Sequence, residues 1–367
     1  MSFNEARDKF LKAATIAPAL GFVPIAVQFR LFDTLCEIGK PATAQDICTA
    51  HRERDGEKMN LSVQLIDDTL LMMGAIGFLD TPSNGMYQAN DVTEFLVATP
   101  SSQHGAVHFT SEILLASAFL MKRLVETDFV YPFKECQTPL QYAYKCMGST
   151  YAQEHTYSIM HKTGRLDSFN TFMDGKLGNE DNIATQLNNI GYGLSSLITE
   201  SLDSKLPTVL VDIGGGRGKR LLELKDAFSQ LGPDSLVLQE YNSEIGEVSG
   251  VTQMSWNFKD ESQEQPVKGA LIYFLSCVLH NLPDVEVVKL LNKVRDAMSS
   301  RSRILIQEPV KNTANATVHG AMIVLYGGRE RTSAEWQNLA AGAGLMVTFE
   351  VYPQVGQCLV EMRIARA

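Results

Sequence analysis

The stretch "VDIGGGRGKRLLEL", Val211 to Leu224, sets three spaced glycines between an apolar strand and the start of a helix. Without side chains, Gly214, Gly216 and Gly218 let the backbone turn sharply and approach a ligand closely. The exposed amides at the helix start favour an anionic group. The spacing is GxGxG preceded by Asp212, unlike the GxGxxG of dinucleotide binders. Arg220 follows Lys219 where a P-loop needs serine or threonine, which argues against a phosphate cradle of that type. The next apolar run, "SLVLQE", ends in Glu240, 22 residues past Gly218. A carboxylate at the tip of the second strand is where such folds bind ribose hydroxyls, and Asp212 can meet a cationic amino group. A ligand with an amino acid head and a ribose suits that pair, whereas NADP would call for an arginine.

The sequence keeps the same texture from Lys205 onward. Apolar runs "TVLVDIG", "SLVLQE", "GALIYFLSCVLH" and "RILIQEPV" alternate with the helical patterns "KRLLELKDAF", "DVEVVKLLNKVRDAM" and "TSAEWQNLAAGAGL". Two short β-prone runs end the sequence. Alternation of this kind predicts an α/β fold with a parallel, doubly wound sheet and a ligand crevice at the carboxyl ends of its strands. The first hundred residues read differently. "GFVPIAVQFRLFDTLCEIG" is an amphipathic helix ending at Gly39, and "TAQDICTAHR" opens with Thr43 as N-cap. "SVQLIDDTLLMMGAIGFL" is a third helix closing near Gly74 or Gly77, and Asn84-Gly85 signals a hairpin. Helix, helix, helix and wing is the pattern of a winged helix. Residues 101–204 read as wholly helical, and the expected organisation is therefore 1–100, 101–204 and 205–367.

Of 367 residues, 45% are apolar and 20% charged, enough for a sizeable core. The formal net charge of −10 argues against nucleic-acid binding, because phosphate neutralisation needs a basic face. The winged helix is accordingly expected to serve dimer contact rather than DNA. The six cysteines are scattered without a CxxC pair, which fits a reducing compartment, and no metal is expected. "MSFNEARDKFLKAA" mixes both charges and lacks the apolar stretch of a signal peptide, and no run is long enough to span a membrane. A soluble, cytoplasmic protein is expected.

"VDIGGGRGK", "LVLQE", "QPVKGALIYF", "VLHNLPD", "RILIQEP" and "GGRERTSAEW" occur in an order and spacing that resemble S-adenosylmethionine-dependent O-methyltransferases. The likeness is to the caffeate/hydroxyindole type and its fungal secondary-metabolism relatives. It is strong over residues 205–365 and looser over "GFVPIAVQFRLFDTL". It implies a class I methyltransferase (Rossmann-like) sheet and an N-terminal winged-helix dimerisation domain. Asp212 and the glycines would hold the methionine part of S-adenosyl-L-methionine and Glu240 the ribose. Asn257 would meet the adenine, with Phe258 beside the ring. His280 matches the family's general base, and Glu308 and Glu330 match the two carboxylates that flank it. Phe169 and Met173 match a segment lining the acceptor pocket. The family is homodimeric, and partner residues help close that pocket.

The chemistry is coherent. A sulfonium methyl is already activated, so proximity, alignment and a deprotonated acceptor are the main requirements. A histidine of pKa about 6.5 cannot fully ionise a phenol of pKa about 10, but it can take the proton as transfer proceeds. A carboxylate partner raises its basicity and fixes its tautomer. Taken singly, Glu308 or Glu330 could instead pair with Arg329 or Arg331. The chain also departs from the pattern, with Ser276 for a basic residue, Asn281 and Leu282 for Asp-Trp, Asn257 and Glu240 for aspartates, and His319 for another Asp. Fungal relatives of this fold include pericyclases, which bind the cofactor without transferring its methyl. In those the base histidine is commonly replaced, whereas His280 is retained here. The expected function is methyl transfer to a hydroxyl of a small secondary metabolite, the alternative being a pericyclase or dehydratase. In that alternative His108 could join His280 as a hydrogen-bond donor to substrate; the plainer reading is an ordinary helix-start or surface histidine.

Overall fold

The computed structural model describes residues 2–55, 61–176, 182–203, 207–241 and 246–365. Contacts divide the chain into two units, Met1–Ala118 with Tyr157–Asn179 and Phe119–Thr156 with Glu180–Ala367. The 101–204 segment contributes to both, and the expected boundary at 204/205 lies outside the described residues.

In the first unit, the amphipathic stretch read as one helix is two, Val23–Gln28 and Leu31–Ile38. The break is at Arg30, whose φ of 50° is left-handed and whose guanidinium pairs with Asp33 at 3.0 Å. Leu31, Phe32 and Leu35 of the second piece then enter the same core as Val23 and Ala26 of the first. Gly39 ends this helix with φ 64°, as its position predicts. Thr43 caps helix Ala44–Asp55: its hydroxyl accepts from the Asp46 N–H at 3.2 Å, and Asp46 accepts from the Thr43 N–H at 2.9 Å. Helix Val63–Ala75 leads into a hairpin of β1 (Asp80–Ser83) and β2 (Met86–Gln88), with Ser83 paired to Met86 across Asn84-Gly85. Helices Asp91–Ala98, Pro100–His108 and Leu166–Lys176 complete the unit's main elements.

The second unit carries β3 (Leu210–Ile213), β4 (Leu236–Gln239), β5 (Thr252–Met254), β6 (Ile272–Ser276), β7 (Arg303–Pro309), β8 (Leu345–Val351) and β9 (Gln357–Ile364). They form one sheet in the order β5-β4-β3-β6-β7-β9-β8. Strands β3 to β7 are parallel, and β9 runs antiparallel between β7 and β8. The parallel sheet was predicted; β5 was not, being three partly exposed residues at the sheet edge. Alternate side chains enter two cores. Val211, Ile213, Tyr273, Leu275, Ile304 and Ile306 lie in one, and Leu210, Leu238, Ile272, Phe274 and Leu305 in the other. Burial on both faces is why these strands read as continuous apolar runs. Each buried large side chain contributes about 1.5–3 kcal/mol.

Successive strands leave β3 in opposite directions, β4 to one side and β6 to the other. Such a switch point opens a crevice at the carboxyl ends of the two strands. Helix Ser333–Gly342 packs behind the sheet through Trp336 and is started by Thr332, which shares a reciprocal capping box with Glu335. Thr332→Ala is expected to cost about 1 kcal/mol. The measurement is a lowered denaturant midpoint at unchanged slope.

Candidate active site

The glycine loop follows β3 directly. Gly214, Gly216 and Gly218 have φ of 69°, 55° and 71°, a region that L side chains rarely adopt. Gly215, which the GxGxG spacing passes over, is needed for a different reason. A Cβ there would sit 2.4 Å from the Asp212 carboxylate and 2.7 Å from Leu238. At Gly216 a Cβ would meet nothing within 4 Å, so the loop is closed over Asp212 and open on its other side. Asp212 is buried, and its Oδ2 has no hydrogen-bond partner among the described residues. Burial pushes its carboxyl up to about 7, against the pull of Arg220 and with a small push from Glu240.

Glu240 follows β4. Its carboxylate accepts from the Gly216 N–H at 3.1 Å and the Tyr241 N–H at 2.8 Å. Asn257 and Phe258 follow β5. The Asn257 amide oxygen accepts from the Lys259 N–H at 3.1 Å, and Phe258 packs edge-on to Trp256. Lys293 donates to the Phe258 carbonyl at 2.9 Å and so fixes this turn. The predicted cofactor residues thus lie at or just past the carboxyl ends of three adjacent strands, in strand order.

After β6 the chain turns through Cys277, held at φ 54°, into a short helical turn, Leu279–Asn281. Glu308, near the end of β7, accepts through Oε1 from the N–H groups of Val278, Leu279 and His280 at 3.1, 2.8 and 3.3 Å. His280 Nδ1 lies 2.8 Å from Glu330 Oε1 and 3.7 Å from Glu308 Oε2. All three residues are buried. The two carboxylates are therefore unequal: Glu330 bonds the imidazole, whereas Glu308 holds the backbone beneath it. Burial raises the Glu308 carboxyl above its usual range, and Glu330 adds to that while His280 opposes it. The departures from the family pattern fall around this turn. Ser276 ends β6, Asn281 donates to the Cys277 carbonyl at 3.3 Å, and His319 Nδ1 accepts from the Glu330 N–H at 3.1 Å. Burial holds His319 below its ordinary pKa, as that acceptor role requires.

Two further residues shape the site, Arg331, which the sequence offered only as a partner for Glu308 or Glu330, and Gly328, which it did not single out. Arg331 is wholly buried and donates to the carbonyls of Leu279 and Leu282 at 2.9 and 2.7 Å and to Asp284 at 2.9 Å. It thus pairs with Asp284, as Arg329 does, and not with the catalytic candidates. Gly328 passes so close that a Cβ would lie 2.1 Å from the His280 carbonyl oxygen. The paired glycines ahead of "RERT" were the available signal for the second.

The remaining candidates belong to the first unit. His108 ends helix Pro100–His108 and is buried, neither at a helix start nor on the surface. Its Nδ1 lies 3.1 Å from Glu112, which also accepts from Arg165 at 2.8 Å. Phe169 packs edge-on against His108, with ring centroids 5.0 Å apart. Met173 is part-buried on the same helix as Phe169.

The pattern defining the O-methyltransferase domain matches residues 194–346. The chain is 59% identical to the O-methyltransferase bfoE of Aspergillus brasiliensis, over 98% of this chain and 96% of that one. It is 54% identical to the O-methyltransferase aunE of Aspergillus niger, with the same coverage. The chain belongs to the O-methyltransferase family. It is an O-methyltransferase, and its cofactor is S-adenosylmethionine. A LepI complex with S-adenosylmethionine superposes with TM-score 0.78 at 21% identity, over 100% of this chain and 90% of that one. A pericyclic reaction enzyme gives 0.79 at 21%, over 98% and 89%. At that identity the likeness shows the fold alone, and relatives above half identity do not favour the pericyclase alternative. No helix among the described residues is long and apolar enough to cross a membrane.

The residues present fit the cofactor. A fully buried carboxylate oxygen at Asp212, without a hydrogen-bond partner among the described residues, calls for a cationic group or a proton, and the bare face at Gly216 leaves the loop open for a ligand. Two outcomes are expected. Gly328→Ala should displace the His280 turn and cut turnover by at least about tenfold, with a cost of about 1–3 kcal/mol in unfolding measurements. Affinity for S-adenosylhomocysteine should weaken as pH falls below about 7, because protonation removes the Asp212 charge that the ligand's ammonium seeks. Calorimetry between pH 6 and 8 tests this, and Asp212→Asn should abolish the dependence on the acid side.

Proposed function

We propose that this O-methyltransferase methylates a hydroxyl of a small secondary metabolite with His280 as general base. The carrying observation is the 2.8 Å contact between His280 Nδ1 and the buried Glu330. With Glu330 ionised, the Nδ1–H donates to it and the ring's lone pair is left on Nε2. Nε2 takes the acceptor's proton, and Glu330 stabilises the imidazolium that results. Glu308 and Arg331 hold the turn that carries the ring. Asp212 would bind the amino group of the cofactor, the glycine loop its methionine part, Glu240 the ribose, and Asn257 with Phe258 the adenine. When bound, S-adenosylmethionine supplies a methyl group already activated for transfer.

Phe169, Met173 and His108 are proposed to line the acceptor pocket. The buried His108–Glu112 pair among aromatic rings supports a polar contact in an otherwise apolar wall. We also infer a homodimer formed through a winged-helix domain over residues 1–100. Helix Phe3–Ala14 buries none of its residues, and Phe3, Phe10 and Leu11 are all exposed, which supports a second copy as cover. A cytoplasmic location is consistent with six cysteines of which none is in a disulfide.

The test is incubation with methyl-labelled cofactor and phenolic or enolic acceptors. Labelled product with S-adenosylhomocysteine is expected. His280→Ala should lower turnover by about 10²–10⁴-fold at retained cofactor affinity. Near-normal turnover in that variant would remove His280 from the base role.

A further inference from the structure

Beside the proposed base lies a residue that methyl transfer does not use. Cys277 precedes the helical turn, and among the described residues its Sγ, a ring nitrogen of His280 and a carboxylate oxygen of Glu308 all lie within 4.8 Å of one another. We propose that these three residues form a binding site for a borderline-soft divalent cation, Zn2+ above all, whose occupation reversibly switches off methyl transfer.

Four observations carry this. The ligand types are sulfur, imidazole nitrogen and carboxylate oxygen, the set from which zinc sites are built. Their separations, all within 4.8 Å, must shorten to the roughly 3.5 Å edge of a tetrahedron with metal–ligand bonds of about 2.0–2.3 Å, which side-chain movement of about 1 Å would achieve. Glu308 Oε2 is fully buried and has no hydrogen-bond partner among the described residues. Such an orphaned oxygen calls for a cation or a proton. Finally, Cys277 keeps a left-handed φ of 54°, uncommon for a residue with a side chain, and its Sγ accepts from Gln357 Nε2 at 3.0 Å. That hydrogen bond orients the sulfur.

Inhibition follows from the imidazole. A neutral ring has one nitrogen with a free lone pair. If the cation takes that nitrogen, the other carries hydrogen and neither can accept a proton from substrate. The switch therefore rests on His280 as base, whereas the binding site itself does not.

The protein, stripped with EDTA and titrated with zinc chloride in a calorimeter, is expected to bind one zinc ion per chain. Cys277→Ser, which keeps a hydrogen-bond acceptor for Gln357, should bind it at least about tenfold more weakly. Cys146→Ser, at an exposed thiol, should match wild type. In the labelled-methyl assay zinc should inhibit the wild type, EDTA should restore it, and Cys277→Ser should need at least about tenfold more zinc. No stoichiometric binding, or equal affinity in wild type and Cys277→Ser, overturns the site. Zinc-saturated wild type at full activity overturns the switch. Failure of the base assignment is seen separately, in His280→Ala without zinc, and leaves the titration unaffected.

Discussion

A single carboxylate oxygen, Glu308 Oε1, gathers three consecutive backbone N–H groups and so fixes the path of the chain after β6. Arg331 holds the same turn by its carbonyls, those of Leu279 and Leu282. Donors and acceptors of one short turn are thus gripped by two buried side chains, a carboxyl and a guanidinium. Burying such groups is costly, and it is offset only when nearly every bond is made; removing one partner of a buried pair costs about 3–5 kcal/mol. The position of His280 at the crevice depends on this grip. So does the left-handed conformation of Cys277, which begins the turn.

The same logic separates structure from chemistry at the site. Two glutamates that look interchangeable in sequence differ in what they hold, one a backbone and the other a ring. A change at Glu330 alters the imidazole's partner directly. A change at Glu308 first alters where the imidazole is.

Much of this was legible in the sequence. The Gly214–Gly218 loop, the apolar parallel strands, the helix signals at Gly39 and Thr43 and the hairpin signal at Asn84-Gly85 all depend on local chemistry, and the structure contains them. The convergence of His280 with Glu308 and Glu330 came from resemblance, since no local rule brings together residues 50 positions apart. What was missed has physical causes. Strand β5 is too short and polar to show a period, and it exists because β4 offers it an edge. The helix break at Arg30 has no glycine or proline to announce it; the core around Phe32 imposes it. Gly215 and Gly328 are required by what would collide with a side chain, and Arg331 by carbonyls it reaches across the fold. His108 looked ordinary because the residues that surround its pair with Glu112, Arg165 on the carboxylate and Phe169 against the ring, are remote in sequence.

The sheet order has a kinetic consequence. Strand β9 occupies an interior position, between β7 and β8, and in register it sets Cys358 against Glu308 and Gln357 against Pro309. The strand beneath the site is therefore flanked on one side by residues synthesised some fifty positions later. Until they arrive, β7 has an open edge, and the turn bearing His280 lacks the Gln357 contact to Cys277. Pairing of this range is slow, because loop closure must precede its reward. Completion of the sheet near the site therefore waits for β9, and until it pairs the open edge of β7 is available to mispairing.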